Sequence, residues 1–195
     1  MGFLLPLQCG GCRRPGWALC PGCVALLQRA PPAGVELAGL HSCRSLLVYD
    51  GPVRALVAGL KYGNHRSAVG WLGEGLATLA PPDVHVVTWA PTAPARRRQR
   101  GYDQARVLAK ALAARLRLPL RATLRRSGPL LAQTGLDRAA RLANPTFEPT
   151  ADLSGLTVLL VDDVLTTGAT LRAAGLALRR SGAARVHGLT AAATP

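Results

Sequence analysis

The chain is short of acid and almost without lysine. It has 24 Lys and Arg against 10 Asp and Glu in 195 residues, a formal charge of +14, and only Lys61 and Lys110 are lysines. Long apolar runs are also missing. The apolar start, Phe3-Leu4-Leu5-Pro6-Leu7, is too short for a transmembrane segment and stands close to Cys9. It lacks the basic leading region and long apolar stretch of a secretory signal. A cytoplasmic protein is therefore expected, in a compartment that favours thiols and metal sites over disulfides. The Gly-x-x-x-x-Gly-Lys-Thr order of a P-loop is absent, and no internal repeat is evident. His41, His65, His85 and His187 offer no convincing Ser-His-Asp set. With 49% hydrophobic and 17% charged residues the composition is that of a folded domain. The length suits one medium domain, with or without a small appendage. A pI near 11.2 permits contact with phosphates, nucleic acid or an anionic membrane surface.

Residues 156 to 171, LTVLLVDDVLTTGATL, are the most informative stretch. Leu156, Val158, Leu159, Leu160 and Val161 predict a short strand buried on both faces, as in a parallel sheet. Asp162 and Asp163 are expected just past its carboxyl end, where open α/β sheets bind ligands. Thr166, Thr167, Gly168, Ala169 and Thr170 follow, and then a helical pattern. Small residues let backbone amides converge on an anion, and the helix behind adds unpaired N–H groups and its dipole. Threonine hydroxyls donate further bonds, and a carboxylate pair suits a sugar diol, a divalent cation, or both. A sugar phosphate fits better than a bare anion, which the two aspartates would repel. The plainer alternative is a structural strand, an Asx-type turn and a helix cap.

Cys9-x2-Cys12 and Cys20-x2-Cys23 form two tight pairs seven residues apart. Each can hold one tetrahedral ion from a small turn, so four thiolates predict a closed structural zinc site. Iron–sulfur ligation and paired disulfides are the alternatives. Cys43 reads as a small buried hydrophobe, and Trp17 is expected to pack on the knuckle. Residues 28–40, rich in Pro, Gly and Ala, read as a linker or loose lead-in. The expected organisation is therefore a zinc knuckle and linker over 1–41 and an α/β domain over 42–195.

Within the second unit, Leu46–Tyr49 predicts a strand. Val53, Leu56, Val57 and Leu60 predict one helix face, closed near Gly63. Leu72, Leu76 and Leu79 predict a second helix, and Val84–Trp89 a strand. Pro91, Thr92 and Ala93 then lead to Arg96, Arg97, Arg98 and Arg100, a loop at a strand's end suited to an anion, or simply a solvated basic face. Ala105, Leu108, Leu112 and Leu116 line the next helix, and Leu120–Leu124 predicts a strand. Residues 125–144 read as a mobile basic loop. Between Arg96 and Arg141 stand thirteen Lys or Arg and two Asp. Leu171, Ala174 and Leu178 predict a last helix and Arg185–Leu189 a last strand. The alternation gives an α/β fold with a mainly parallel sheet flanked by helices.

Four segments in this order carry a family likeness: the cysteine knuckle, Leu60-Lys61-Tyr62, Arg100-Gly101-Tyr102-Asp103-Gln104-Ala105, and the run from Gln133 through Leu136, Arg141 and Asn144 to the aspartate–threonine motif. The chain resembles the ComF family, competence-associated proteins similar to type I phosphoribosyltransferases. The resemblance implies that Asp162 and Asp163 bind the ribose hydroxyls of 5-phosphoribosyl 1-diphosphate, and that residues 166–170 cradle its 5-phosphate. It implies that Pro91, Thr92 and Ala93, with Arg96 and Arg100, meet the diphosphate, that Lys61 belongs to the ligand set, and that Mg²⁺ bridges diphosphate and ribose. Asp162, Asp163, Arg96 and Arg100 would be the catalytic set, and residues 125–144 the flexible loop. The implied reaction displaces pyrophosphate from C1 by a nitrogen nucleophile through an oxocarbenium-like transition state, with no acid–base pair required. Asp103 departs from the family's usual Asn. A non-catalytic alternative follows from the same resemblance: a zinc-containing DNA-handling or regulatory module, with single-stranded DNA and DNA-translocation proteins as partners.

Overall fold

The computed structural model describes residues 7–32, 34–62, 67–127 and 145–195. The expected Gly63 cap, the basic loop residues 128–144 and the Gln133, Leu136, Arg141 and Asn144 positions lie outside the described residues.

Four parallel strands form the main sheet: β1 (Ser42–Val48), β2 (Val86–Trp89), β5 (Thr157–Leu165) and β6 (Arg185–Ala193), in the order β1-β6-β5-β2. The run that reads as buried on both faces is so: Val158, Leu159, Leu160 and Val161 are all 0% exposed. The pleat sends Leu159 and Val161 into one core layer and Val158 and Leu160 into the other. The first layer holds the helices α2 (Gly51–Tyr62), α3 (Val69–Ala77) and α5 (Gln104–Leu116), whose expected faces are buried at Val53, Leu56, Val57, Leu60, Leu72, Leu76, Leu108 and Leu112. The second holds a helix over Ala169–Arg180, named α6 here, buried at Leu171, Ala174 and Leu178.

Several elements differ from the sequence reading. β1 begins at Ser42 and β6 runs on to Ala193, because parallel pairing between them continues from Ser42↔His187 to Val48↔Ala193. Arg96–Arg100 belongs to a short helix, α4 (Pro94–Arg100), not a loop. Proline at its first position presets φ, and Gly101 closes it in the left-handed region at φ +79°. Leu120 makes only an isolated parallel bridge to Val87, and the strand lies later, at β3 (Leu124–Ser127). It pairs antiparallel with β4 (Thr146–Pro149), which places Arg126 opposite Phe147.

The amino-terminal knuckle, with the one-turn helix α1 (Pro21–Ala25), packs onto the first layer: Cys9, Leu19, Cys20 and Cys23 share its core with Leu56 and Ala68. Trp17, expected to pack on the knuckle, is 48% exposed. Residues 28–30 line the free edge of β1, through Val48 N–H to Gln28 O at 2.9 Å and Ala30 N–H to Leu46 O at 3.2 Å. Cys43 is buried beside Gly188, and burial, with the charge of Asp162, pushes its thiol up to about 11. It is a packed hydrophobe, as its position in the sequence suggests. Among the described residues no helix is long and apolar enough to cross a membrane.

Candidate functional site

The carboxyl ends of β2 and β5 lie side by side, and Ala90 N–H still bonds Val161 O at 3.0 Å as the two chains leave the sheet. Asp162 and Asp163 are not beyond β5 but within it. Pairing to β6 holds through Asp162↔Thr190 to Leu165↔Ala193, so both carboxylates stand on a rigid strand. The Asp163 amide donates to Asp162 Oδ1 at 2.8 Å, which fixes one carboxylate against the backbone of the other.

The turn after β5 carries Thr166 and Thr167, then Gly168 at φ +72°, the residue from which α6 starts. An L side chain there would be strained, and its Cβ would fall 2.6 Å from Leu37. No side chain of Gly168 can cap the helix, and Thr167 Oγ1 accepts the Ala169 amide at 3.4 Å. The first turn of this twelve-residue helix therefore offers amides and a positive dipole end to an anion.

On the β2 side, Pro91–Ala93 turns into α4. Asp103, 8% exposed, fixes that turn. Its carboxylate accepts the Thr92 amide at 2.9 Å, the Thr92 hydroxyl at 3.2 Å and the Arg106 amide at 3.4 Å, capping α5 at the same time. The Thr92 amide is thus spent on Asp103 and is not presented to a ligand. Arg100 donates to Gln104 Oε1 at 3.0 Å. The Tyr102 hydroxyl donates to Leu60 O, tying the same segment to α2.

These parts line one cavity of about 270 Å³, which brings together Asp162, Asp163, Thr166, Thr170, Pro91, Thr92, Ala93, Arg96 and Arg100, with Tyr49 and Arg126. Thr167, Gly168 and Ala169 form the adjoining turn without facing the cavity. Lys61 closes α2, and its side chain falls outside the described residues. Tyr49 and Arg126 are lining residues the sequence reading did not single out, Arg126 having been read only as part of the loop over 125–144. Arg126 stacks on Phe147 at 5.5 Å and donates to Pro91 O at 3.5 Å. Burial lowers its pKa, the charge of Asp162 raises it, Arg96 lowers it and Asp103 raises it, so its guanidinium sits amid all three. The only available signal was the β3–β4 register, invisible in an unpatterned basic run.

The four cysteines of the knuckle converge. Their sulfurs lie within 4.8 Å of one another, with Cys12 Sγ 3.6 Å from Cys20 Sγ. Metal–sulfur bonds of about 2.3 Å in a tetrahedron require sulfurs about 3.8 Å apart, so the donor set fits a thiolate-bound metal ion. Burial raises the pKa of Cys9, but the amides of Cys12, Cys20 and Gly11 outweigh it and bring the thiol down to about 6. Burial and the surrounding thiols, with the Cys9 charge, push Cys23 up to about 12. Four thiolates can coexist here only beside a neutralising cation.

A parallel sheet flanked by helices is typical of the phosphoribosyltransferase fold. Residues 103–195, just under half of the chain, match the family described as "Phosphoribosyl transferase domain". Two solved structures share the fold at a TM-score of 0.50 and 21% identity, each covering 69% of this chain and 30% of its own. One is the allosteric regulatory enzyme of purine biosynthesis, and the other is the glutamine phosphoribosylpyrophosphate amidotransferase of B. subtilis, complexed with ADP and GMP. The chain thus spans under a third of either. A comparison with curated proteins gives no match. The chain is a phosphoribosyltransferase-like protein in fold, with an N-terminal cysteine cluster able to coordinate a metal ion.

Proposed function

We propose that the protein binds 5-phosphoribosyl 1-diphosphate with Mg²⁺ and transfers the phosphoribosyl group to a nitrogen nucleophile, releasing pyrophosphate, as a member of the ComF family. One observation carries this reading. A single cavity of about 270 Å³ sets the carboxylates at the end of β5 against guanidiniums from α4 and β3, beside the turn that leads into α6. That volume lies near the lower end of small-molecule sites, about 300 to 1,000 Å³, and suits a phosphorylated pentose better than a whole nucleotide.

In this reading Asp162 and Asp163 take the ribose diol, the turn from Thr166 to Thr170 takes the 5-phosphate, and Arg96, Arg100 and the Pro91–Ala93 turn meet the diphosphate. Carboxylate and diphosphate oxygens are a hard donor set that fits Mg²⁺, which supplies charge neutralisation to the leaving group when bound. The protein's own residues position the sugar and stabilise developing charge. The knuckle holds one structural zinc. The test is calorimetric titration with 5-phosphoribosyl 1-diphosphate and Mg²⁺. Binding is expected in the wild type and lost in the D162N/D163N double variant. Binding that survives in the double variant removes the ribose assignment.

A second reading, a DNA-handling module of a competence system that contacts single-stranded DNA and translocation proteins, draws support from an adjoining groove that shares Pro91, Thr92 and Arg126 with the cavity. It measures about 920 Å³ and is lined by Arg97, Arg98, Arg106, Lys110, Arg125 and Arg126 around Trp89 and Tyr102. Single-strand binding that weakens steeply with salt supports it, and salt-insensitive binding counts against it.

A further inference from the structure

The arginines of α4 are divided between two spaces. Arg96 and Arg100, one helical turn apart, line the candidate cavity. Arg97 and Arg98, between them in sequence, line the basic groove instead, with Arg106 and Lys110 of α5. The wall between the two spaces is thin. Pro91 and Thr92 line both of them. Asp103 lines the groove, and its carboxylate accepts the Thr92 amide at 2.9 Å and the Thr92 hydroxyl at 3.2 Å, so the wall is anchored from the groove side.

Arg126 is the one cation among the described residues that lines both spaces. Its guanidinium donates to Pro91 O, on the wall itself, at 3.5 Å, and lies over the Phe147 ring at 5.5 Å. It feels the charge of Asp162, which lines the cavity, and of Asp103, which lines the groove. A planar guanidinium with donors along its edges suits a phosphate on either side. It has one positive charge to give.

We infer that the groove and the cavity compete for Arg126: single-stranded DNA whose phosphates occupy the groove weakens the hold on the sugar diphosphate in the cavity, and the sugar diphosphate weakens the hold on the strand. Such competition rests on both readings proposed above, and it makes them linked states of one protein instead of alternatives. Two effects act in the same direction. Each ligand draws the shared guanidinium from the other. Two polyanions on opposite sides of so thin a wall also repel, since screening takes hold only over about 8 Å at physiological ionic strength. Linkage requires the two weakening factors to be equal.

The experiment measures both affinities on the full chain at fixed ionic strength and fixed free Mg²⁺. Anisotropy of a fluorescein-labelled oligothymidylate of about twelve nucleotides, within the span of usual single-strand sites, reports strand binding with and without saturating 5-phosphoribosyl 1-diphosphate. Calorimetry reports the sugar diphosphate with and without saturating oligothymidylate. Each ligand is expected to weaken the other by the same factor, about tenfold, which is within the usual range for coupled sites. R126Q is expected to bind both ligands more weakly, with the coupling cut to under about twofold, and its melting temperature reports that the fold is intact. In D162N/D163N, expected not to take the sugar diphosphate, strand binding should be indifferent to it. Two ligands that bind the wild type without affecting each other overturn the competition and leave both readings standing. Coupling undiminished in R126Q removes the role of Arg126. Weakening of the strand that persists in D162N/D163N means that the sugar diphosphate enters the groove itself, which also refutes the competition between sites. A wild type that takes only one of the two ligands overturns the competition together with the reading of the other site.

Discussion

Replacing Asp103 by alanine tests whether the Pro91–Ala93 turn, proposed to meet the diphosphate, is built by one carboxylate. Three donors converge on it: the Thr92 amide at 2.9 Å, the Thr92 hydroxyl at 3.2 Å and the Arg106 amide at 3.4 Å. Loss of an N-cap costs about 1 kcal/mol, and a hydrogen bond to a charged group about 1.5 to 3 kcal/mol. The long Arg106 contact and the shared Thr92 bonds put D103A near the low end of that sum, roughly 3 kcal/mol. With a urea dependence of about 2 kcal/mol per molar, the unfolding midpoint is expected to fall by about 1.5 M. D103N restores the residue type usual at this position in the resembled family. Asparagine caps as well as aspartate but has one acceptor oxygen, so it should keep the cap or the Thr92 tether fully, not both, and lose about 1 kcal/mol. The same order, wild type, then D103N, then D103A, is expected for sugar diphosphate affinity, because the turn proposed to meet the diphosphate loosens. A D103A protein with an unchanged midpoint and unchanged affinity refutes the reasoning, since the three bonds would then contribute nothing.

Three further outcomes follow from the geometry. R126Q removes the guanidinium between Asp162, Arg96 and Asp103, and calorimetry should show sugar diphosphate affinity reduced about tenfold, or about 1.4 kcal/mol, with ribose 5-phosphate affinity unchanged. C20S removes one of four converging sulfurs. Purified variant should carry no stoichiometric zinc, against one per chain in the wild type, and melt at least about 5 °C lower. His187 has its pKa lowered by burial, with Asp83 raising it and His41, Arg185 and Arg44 lowering it further. Its Nδ1 meets Ser42 Oγ at 2.8 Å and its Nε2 is buried without a partner among the described residues. The unfolded chain therefore takes up this proton first, and stability falls as pH drops below about 6.5. Denaturation of H187Q across the same range should lack that part of the slope.

The parallel sheet was legible because β5 is a run of apolar β-formers too short for a helix and buried on both faces. The helix faces were legible because leucine recurs with a 3.6-residue period in α2 and α5. What escaped were features set by partners rather than by local pattern. Asp162 and Asp163 look like loop residues, yet β6 supplies pairing partners as far as Ala193 and draws them into the strand. The four-residue strands β3 and β4 are stabilised by each other across a long sequence separation and show no alternation of their own. α4 did leave signals, proline at its start and glycine at its end, but four arginines in one turn obscured them. The knuckle was legible as a donor set from spacing alone, whereas its packing on Leu56 and Ala68 was not, since nothing in a Cys-x2-Cys pair says what lies beneath it.

The charge balance of the cavity bears on how the proposed sugar diphosphate would be held. Arg96, Arg100 and Arg126 against Asp162 and Asp163 leave one net positive charge around the cavity. A phosphate monoester brings about −1.5 to −2 at neutral pH, and a diphosphate on the same sugar brings more again. The cavity alone cannot balance such a ligand. In the proposed reading, the remainder comes from a divalent cation and from the basic groove that shares Pro91, Thr92 and Arg126 with the cavity. Groove charges act across solvent and are screened over about 8 Å at physiological ionic strength, while a bound cation acts at contact. Raising salt from 50 to 500 mM should therefore weaken the sugar diphosphate severalfold when Mg²⁺ is withheld and much less when it is present. K110Q, a groove change outside the cavity, should flatten the Mg²⁺-free dependence. Equal salt sensitivity with and without Mg²⁺ would mean that the metal does not share the diphosphate's charge.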